Sequence, residues 1–116
     1  MKHKKEIKIS PKLLSDVLEI EIESVIVYDN LEVDWVSCGM YPRSSCDINE
    51  VCSWIKNWIL NKKYLMIKIS LYSDTSRVRV ESENKFIVVE EDTEAEAIIS
   101  AGELSLDFEK NSHPIS

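Results

Sequence analysis

Residues 47–63, DINEVCSWIKNWILNKK, decide the fold. At about 100° per residue, Ile48, Val51, Cys52, Ile55, Trp58 and Ile59 fall on one broad stripe. Asn49, Glu50, Ser53, Lys56 and Asn57 fall opposite, so the stretch reads as a surface helix with one buried face. Asp47 is placed to accept from the amides of the first turn, and Glu50 three residues on completes a capping-box-like pair. Lys62 and Lys63 suit the negative end of the helix dipole, and Asn61 is a tolerable left-handed terminator. Two residues leave the pattern. Trp54 lies at the rim of the stripe and Leu60 points to the polar side. Lone exposed apolar residues are common, but the two also qualify as partner contacts.

The segments on either side read as strands and helices that use this helix as cover. Upstream, Ser10-Pro11 is a helix start, with Ser as cap and Pro in the first turn. Leu13, Leu14, Val17 and Leu18 continue it at helical spacing. Residues 19–30, EIEIESVIVYDN, mix two signals. Ile20 and Ile22 alternate with acids, whereas 24–28 is a β-branched and aromatic run. Asp29-Asn30 reads as a turn, Val33–Cys38 as a second strand, and Gly39–Ser45 as a loop interrupted by Pro42.

Downstream, Tyr64–Tyr72 alternates, with Leu65, Ile67, Ile69 and Leu71 on one face. Arg77–Glu81 places Val78 and Val80 inward, and Phe86–Glu90 follows. Four-residue turns between them predict an antiparallel meander. Thr93-x-x-Glu96 is a capping box that opens a last helix. In that helix small Ala95 and Gly102 share a face with Ile98 and Ile99 and permit close approach to a sheet.

The expected architecture is α+β, in the order α-β-β-α-β-β-β-α. Three helices pack on one mainly antiparallel sheet of about five strands. A three-layer α/β/α sandwich is the finer form of that expectation. The expected domain plan is a basic arm over 1–9, a single domain over 10–106 and a flexible tail over 107–116.

Composition narrows the function. The chain has 116 residues, enough for one core, with 44% hydrophobic and 30% charged residues. Two glycines argue against a glycine-rich phosphate cradle. No apolar run approaches the length of a membrane span, and the basic start lacks the apolar core of a secretory signal, so the expected location is cytoplasmic. Cys38, Cys46 and Cys52 are odd in number and irregularly spaced, which is not a disulfide framework. His3 and His113 sit near opposite ends, so neither a zinc site nor a Ser-His-Asp or Cys-His pair is apparent. The paired carboxylates lie in solvated runs, where nothing shifts a pKa toward general acid–base work. The reading is therefore of a non-enzyme without cofactor or metal. Arg77 and Arg79 could hold an anion, but cross-strand pairing with an acid such as Glu90 is the more ordinary role.

Net charge is −7 and unevenly spread. Residues 13–42 contain Asp16, Glu19, Glu21, Glu23, Asp29, Glu32 and Asp34 and no base. Residues 81–96 hold seven acids against one lysine. Such a surface repels nucleic acid and favours a basic protein partner, speeding its encounter. Solubility alone would also explain the acid.

The run from Pro42 through the strands to the last helix resembles the phage ABA-sandwich domains. It carries Pro42, Ser44, Asp47, Ile48 and Trp54, then Asp92, Thr93, Ala95, Ala97 and Ile98. The likeness covers roughly residues 41–106 and is one of caps and apolar positions. Before it, only the short leading helix matches. It implies a three-layer arrangement and a phage or prophage origin, and no activity.

The leading expectation is an accessory protein that binds another protein, for example an inhibitor of a host nucleic-acid-handling or defence protein. Its contact set would be Glu19, Glu21, Glu23, Asp29, Glu32 and Asp34, with Trp54 and Leu60. The alternative is an immunity protein neutralising a cognate toxin, separable by gene neighbourhood. The third is a small-molecule-binding module whose pocket uses Trp35, Trp54 or Tyr72. A homodimer through an edge near Arg77–Glu81, or through Trp54 and Leu60, stays open.

Overall fold

A computed structural model describes residues 6–38, 44–63 and 65–115. The first five residues of the basic arm, most of the expected 39–45 loop with its Pro42, and Tyr64 lie outside them. The chain is α+β and divides into two compact units, Met1–Ile48 and Asn49–Ser116.

The N-terminal unit begins with α1 (Pro11–Leu18). Ser10 caps it as expected, its Oγ accepting from the Leu13 N–H at 3.0 Å with Pro11 in the first turn. Glu19 ends it in the left-handed region at φ 58°. β1 (Ile22–Val27), β2 (Glu32–Ser37) and β3 (Ser44–Asp47) form an antiparallel sheet in the order β1-β2-β3. α1 packs on β1, and the Ile22 N–H donates to Ser15 Oγ at 3.0 Å.

The conflicting pattern of 19–30 is resolved by a bulge. Ile22 pairs with Ser37 and Ser24 with Val36, leaving Glu23 as the extra residue. An extra residue reverses the alternation. Ile22 is thereby buried on the same side as Val33 and Trp35, although Val25 and Val27, of opposite parity, also face that side. β3 takes in Ser44 and Ser45 from the expected 39–45 loop and Asp47 from the expected helix cap. Its sequence, SSCD, has no apolar alternation to announce a strand, and its place comes from backbone pairing of Glu32–Trp35 with Ser44–Asp47.

The β1–β2 turn holds a second left-handed residue. The Tyr28 carbonyl accepts from the Leu31 N–H and the Tyr28 N–H donates to the Glu32 carbonyl, both at 2.9 Å. Asn30 Oδ1 accepts from the Glu32 N–H at 3.1 Å. Leu31 closes the turn at φ 68°, a position where glycine is the usual residue. A left-handed non-glycine residue costs about 1–2 kcal/mol. Leu31→Gly relieves that and adds unfolded-chain entropy that offsets about half of it. The expected net gain is about 0.5–1 kcal/mol, read as a raised urea midpoint at constant slope. A midpoint that falls or stays put contradicts the turn geometry.

The C-terminal unit contains α2 from Asn49 onward (the helix spans Ile48–Asn61) and the strands β4 (Met66–Leu71), β5 (Ser76–Glu81) and β6 (Lys85–Glu91). α3 (Glu94–Ser105), α4 (Phe108–Asn111) and β7 (His113–Pro114) follow. Its antiparallel sheet runs β4-β5-β6-β7. Ser76, Val78 and Val80 of β5 and Ile87 of β6 are buried on one face, and α3 packs on β5 and β6. Thr93 caps α3, its Oγ1 accepting from the Glu96 N–H at 3.2 Å, while Glu96 Oε2 is buried without a partner. Ala97, Ile98, Ala101, Gly102 and Ser105 form a buried stripe on α3, with Ile99 buried beside it and Ala95 only half-buried. Small side chains at 97, 101 and 102 let the helix backbone approach the strands.

Several expectations are corrected. Among the described residues the strands form two sheets of three and four strands, not one of about five, and there are four helices rather than three. Alternation marks which residues share a strand face but carries no information on which strands share a sheet. Arg77–Glu81 is β5, paired on both sides, so it is not an edge. Asn61 ends α2 without a left-handed backbone, the two non-glycine residues with positive φ among those described being Glu19 and Leu31. The segment after Leu106, expected as a loose tail, contains buried Phe108 in α4 and pairs through β7 with Lys85 and Phe86. Proline is tolerated there because β7 is an edge strand.

Candidate functional site

The outward face of the three-stranded sheet follows from register. Directly opposed residues of antiparallel strands share a face. Val33 and Trp35 are buried, so Glu32, Asp34 and Val36 point the other way, beside Ser24 and Ile26 of β1 and Ser45 and Asp47 of β3. Asp34 stands between Ile26 and Ser45, and Glu32 opposite Asp47. Ile26 and Tyr28 are exposed, and the Tyr28 hydroxyl donates to Asp34 Oδ2 at 3.1 Å. The result is an acidic surface with an aliphatic and an aromatic group set into it.

The expected contact set does not gather on this face. Glu32 and Asp34 lie on it, and Asp29 sits in the turn at its end. Glu21 and Glu23 act at the opposite end of the hairpin, roughly 16 Å away at the rise of an extended strand. There the Cys38 N–H donates to the Glu21 carbonyl at 2.9 Å. Partial removal from water, then the negative charges of Glu21 and Glu23, hold the exposed Cys38 thiol above its ordinary value. A raised thiol pKa means less thiolate, the opposite of what a nucleophile needs. Glu19 sits at the end of α1. Asp47 belongs to the outward face and was missed, because its place before a helical run reads as a cap.

Trp54 and Leu60 belong to the other unit. Trp54 is half-buried and Leu60 is 44% exposed. Six positions apart on one helix, they lie about 120° from each other around its axis and do not make one patch.

Trp35 is buried on the inner face of its sheet, and Tyr72 is exposed with the Arg77 guanidinium 5.5 Å from its ring centre. A cavity of about 460 Å³ in the C-terminal unit is lined by Lys63, Leu65, Ser82 and residues 106–110. The Lys63 ammonium donates to the Leu106 carbonyl at 3.5 Å and lies 5.2 Å from the Trp58 ring centre, while Lys85 pairs with Glu109. The cavity walls therefore carry both signs of charge.

Arg77 pairs across the strands with Glu90, donating from Nε at 3.2 Å and Nη2 at 2.9 Å. Those hydrogen bonds, with the nearby Tyr72 and Glu90 charges, raise its already high pKa. Arg79 donates to Glu81 at 2.8 Å and stacks 4.2 Å from the Phe86 ring centre. Both guanidiniums are thus held by acids of their own sheet. Among the described residues no group of three or more His, Cys, Asp or Glu is placed to hold a metal ion, and no helix is long and apolar enough to cross a membrane. His113 lies in β7 against the Phe86 ring, 6.0 Å between centres.

No protein-family model, curated protein or solved structure matches the chain.

Proposed function

We propose that this chain is a small acidic accessory protein of the phage or prophage type that acts by binding a protein with a basic surface. The outward face of the three-stranded sheet is its docking surface. The observation that carries the reading is the placement of Glu32, Asp34 and Asp47 on one sheet face around exposed Ile26 and Tyr28. Aromatic and aliphatic anchors give a docking surface its affinity, and the surrounding acids steer a basic partner and reject acidic ones. A basic groove that otherwise handles nucleic acid is the complementary target, and occupying it would inhibit its owner. The phage resemblance bears on the proposed origin and adds no activity of its own. An immunity protein would present the same electrostatics to a toxin, and the identity of the captured partner separates the two.

The test starts with affinity capture from host lysate and identification of the partner by mass spectrometry. The triple variant Glu32→Lys, Asp34→Lys, Asp47→Lys is then compared with the parent. Binding weakens by about tenfold or more at low salt, and the salt dependence flattens, because charges at an interface act mainly on encounter. Reversal at Glu19, Glu21 and Glu23, away from the face, changes affinity much less. Equal affinity of the Glu32/Asp34/Asp47 variant and the parent would eliminate this surface.

A further inference from the structure

We propose that the free edge of β4 pairs antiparallel with the β4 edge of a second copy of this chain, centred on Ile69. β4 is the terminal strand of its sheet, and no described strand pairs with its outer edge. The direction of its backbone groups is fixed by the turn that follows. The Tyr72 N–H donates to the Thr75 carbonyl at 2.9 Å, toward β5. Antiparallel alternation then points Ser70, Lys68 and Met66 toward β5 as well. Ile67, Ile69 and Leu71 direct their N–H and C=O groups outward. An open row of that kind is a template for another strand.

Much of the apolar surface on this edge is exposed. Leu71 is 65% exposed, Met66 55% and Tyr72 52%, and Ile67 and Ile69 are only half-buried. Leu71 opposes buried Ser76, so it lies on the face that carries the core, yet α3 does not cover it.

The occupant is identified by self-complementarity. Folded back on itself about Ile69, MIKISLY sets Ile69 against Ile69, Ile67 against Leu71, Met66 against Tyr72 and Lys68 against Ser70 of the other copy. Every apolar residue meets an apolar one, and the only charge meets a hydroxyl. Other registers lose this. Centring on Lys68 opposes two lysines and calls on the Leu65 amide, which already donates to the Ile59 carbonyl at 3.2 Å. Centring on Ile67 needs that same amide. Centring on Leu71 runs the pairing into the Ser73–Asp74 turn. The Ile69 register uses each outward group once, and like charges never face each other. The two sheets thereby join into one across a two-fold axis, the commonest symmetry of homodimers.

The experiment is light scattering on the full chain across the micromolar to submillimolar range. The parent runs as a dimer at the upper end. Leu71→Lys alters a residue already in water and raises the dimer dissociation constant by at least about tenfold. Ile69→Pro removes an N–H that β5 does not use and gives a monomer, with circular dichroism checking that it folds. Ile69→Cys cross-links to itself on mild oxidation, since opposed residues about 5.5 Å apart at Cα can be bridged. Peptide mapping under non-reducing conditions distinguishes that bond from any made by Cys38, Cys46 or Cys52. A parent that stays monomeric throughout overturns the proposal. So does a dimer that survives Leu71→Lys.

Discussion

Phe108→Ala lowers stability by about 3 kcal/mol, the lower end of the range for emptying a buried phenylalanine site. Phe108 is 8% exposed, although it sits in a single-turn helix within ten residues of the chain end. Its position is held from several sides. The Lys110 and Asn111 amides donate to the Asp107 carbonyl at 3.0 Å, and the Ser112 amide to the Phe108 carbonyl at 2.9 Å. Asn111 Nδ2 reaches back to the Leu104 carbonyl at 3.2 Å. The Ile115 amide donates to the Asn84 carbonyl at 2.9 Å, closing the segment onto the β5–β6 turn. A terminal single turn relaxes more easily than a helix interior, which keeps the loss below that of a fully enclosed phenylalanine. Urea unfolding followed by tryptophan fluorescence measures it. A loose tail would give a change within about 0.5 kcal/mol, and that outcome contradicts the described C-terminus. Ile115→Ala, at a residue 44% exposed, serves as the comparison and changes little.

What was legible in the sequence is what repeats at short range. The six stripe residues of 47–63, from Ile48 to Ile59, are all buried, because a 3.6-residue apolar period with a polar opposite face marks a helix with one buried side. The hairpins of 66–91 follow from alternation between polar turns, and the caps at Ser10 and Thr93 follow from side chains that can reach only nearby amides. The features that escaped are long-range or purely backbone. β3 is held by hydrogen bonds that any residue supplies. Nothing in a leucine announces φ 68° at position 31. The bulge at Glu23 shows up in sequence only as a change of parity between Ile22 and Val25.

The acidic surface was legible as composition and not as geometry. The run from Glu19 to Asp34 crosses a helix end, a bulge, a turn and two strands. Each crossing turns the side chains to a new direction, so six acids close in sequence serve three different places. Asp47 joins Glu32 and Asp34 only through the β2–β3 register, which no local pattern encodes. The same split bears on function. Under the proposed docking role, a partner on this face would meet Ile26 and Tyr28 together with three acids, while Glu19, Glu21 and Glu23 would contribute only to the long-range field.

Ala101→Leu is expected to cost about 2–3 kcal/mol, the upper part of the range for overpacking. In an isolated helix the change would be close to neutral, since leucine is nearly as good a helix former as alanine. Here Ala101 is completely buried on the stripe of α3 that packs on β5 and β6, one turn from Ala97 and beside Gly102. The facing strands offer Val78, Val80 and Ile87, all buried, so an extra isobutyl group has no gap to enter. The helix must lift, and lifting it uncovers those same valines. Gly102→Ala tests the argument by sign. On an open helix face it would stabilise by about 0.5–1 kcal/mol. On this face the added methyl meets the sheet and the change destabilises. Thermal melts of the two variants beside Ser100→Ala, at a half-buried neighbour, give the comparison. If Ala101→Leu melts with the parent and Gly102→Ala melts higher, α3 stands off the sheet at a distance that large side chains could fill, and the close approach of helix and strands is wrong.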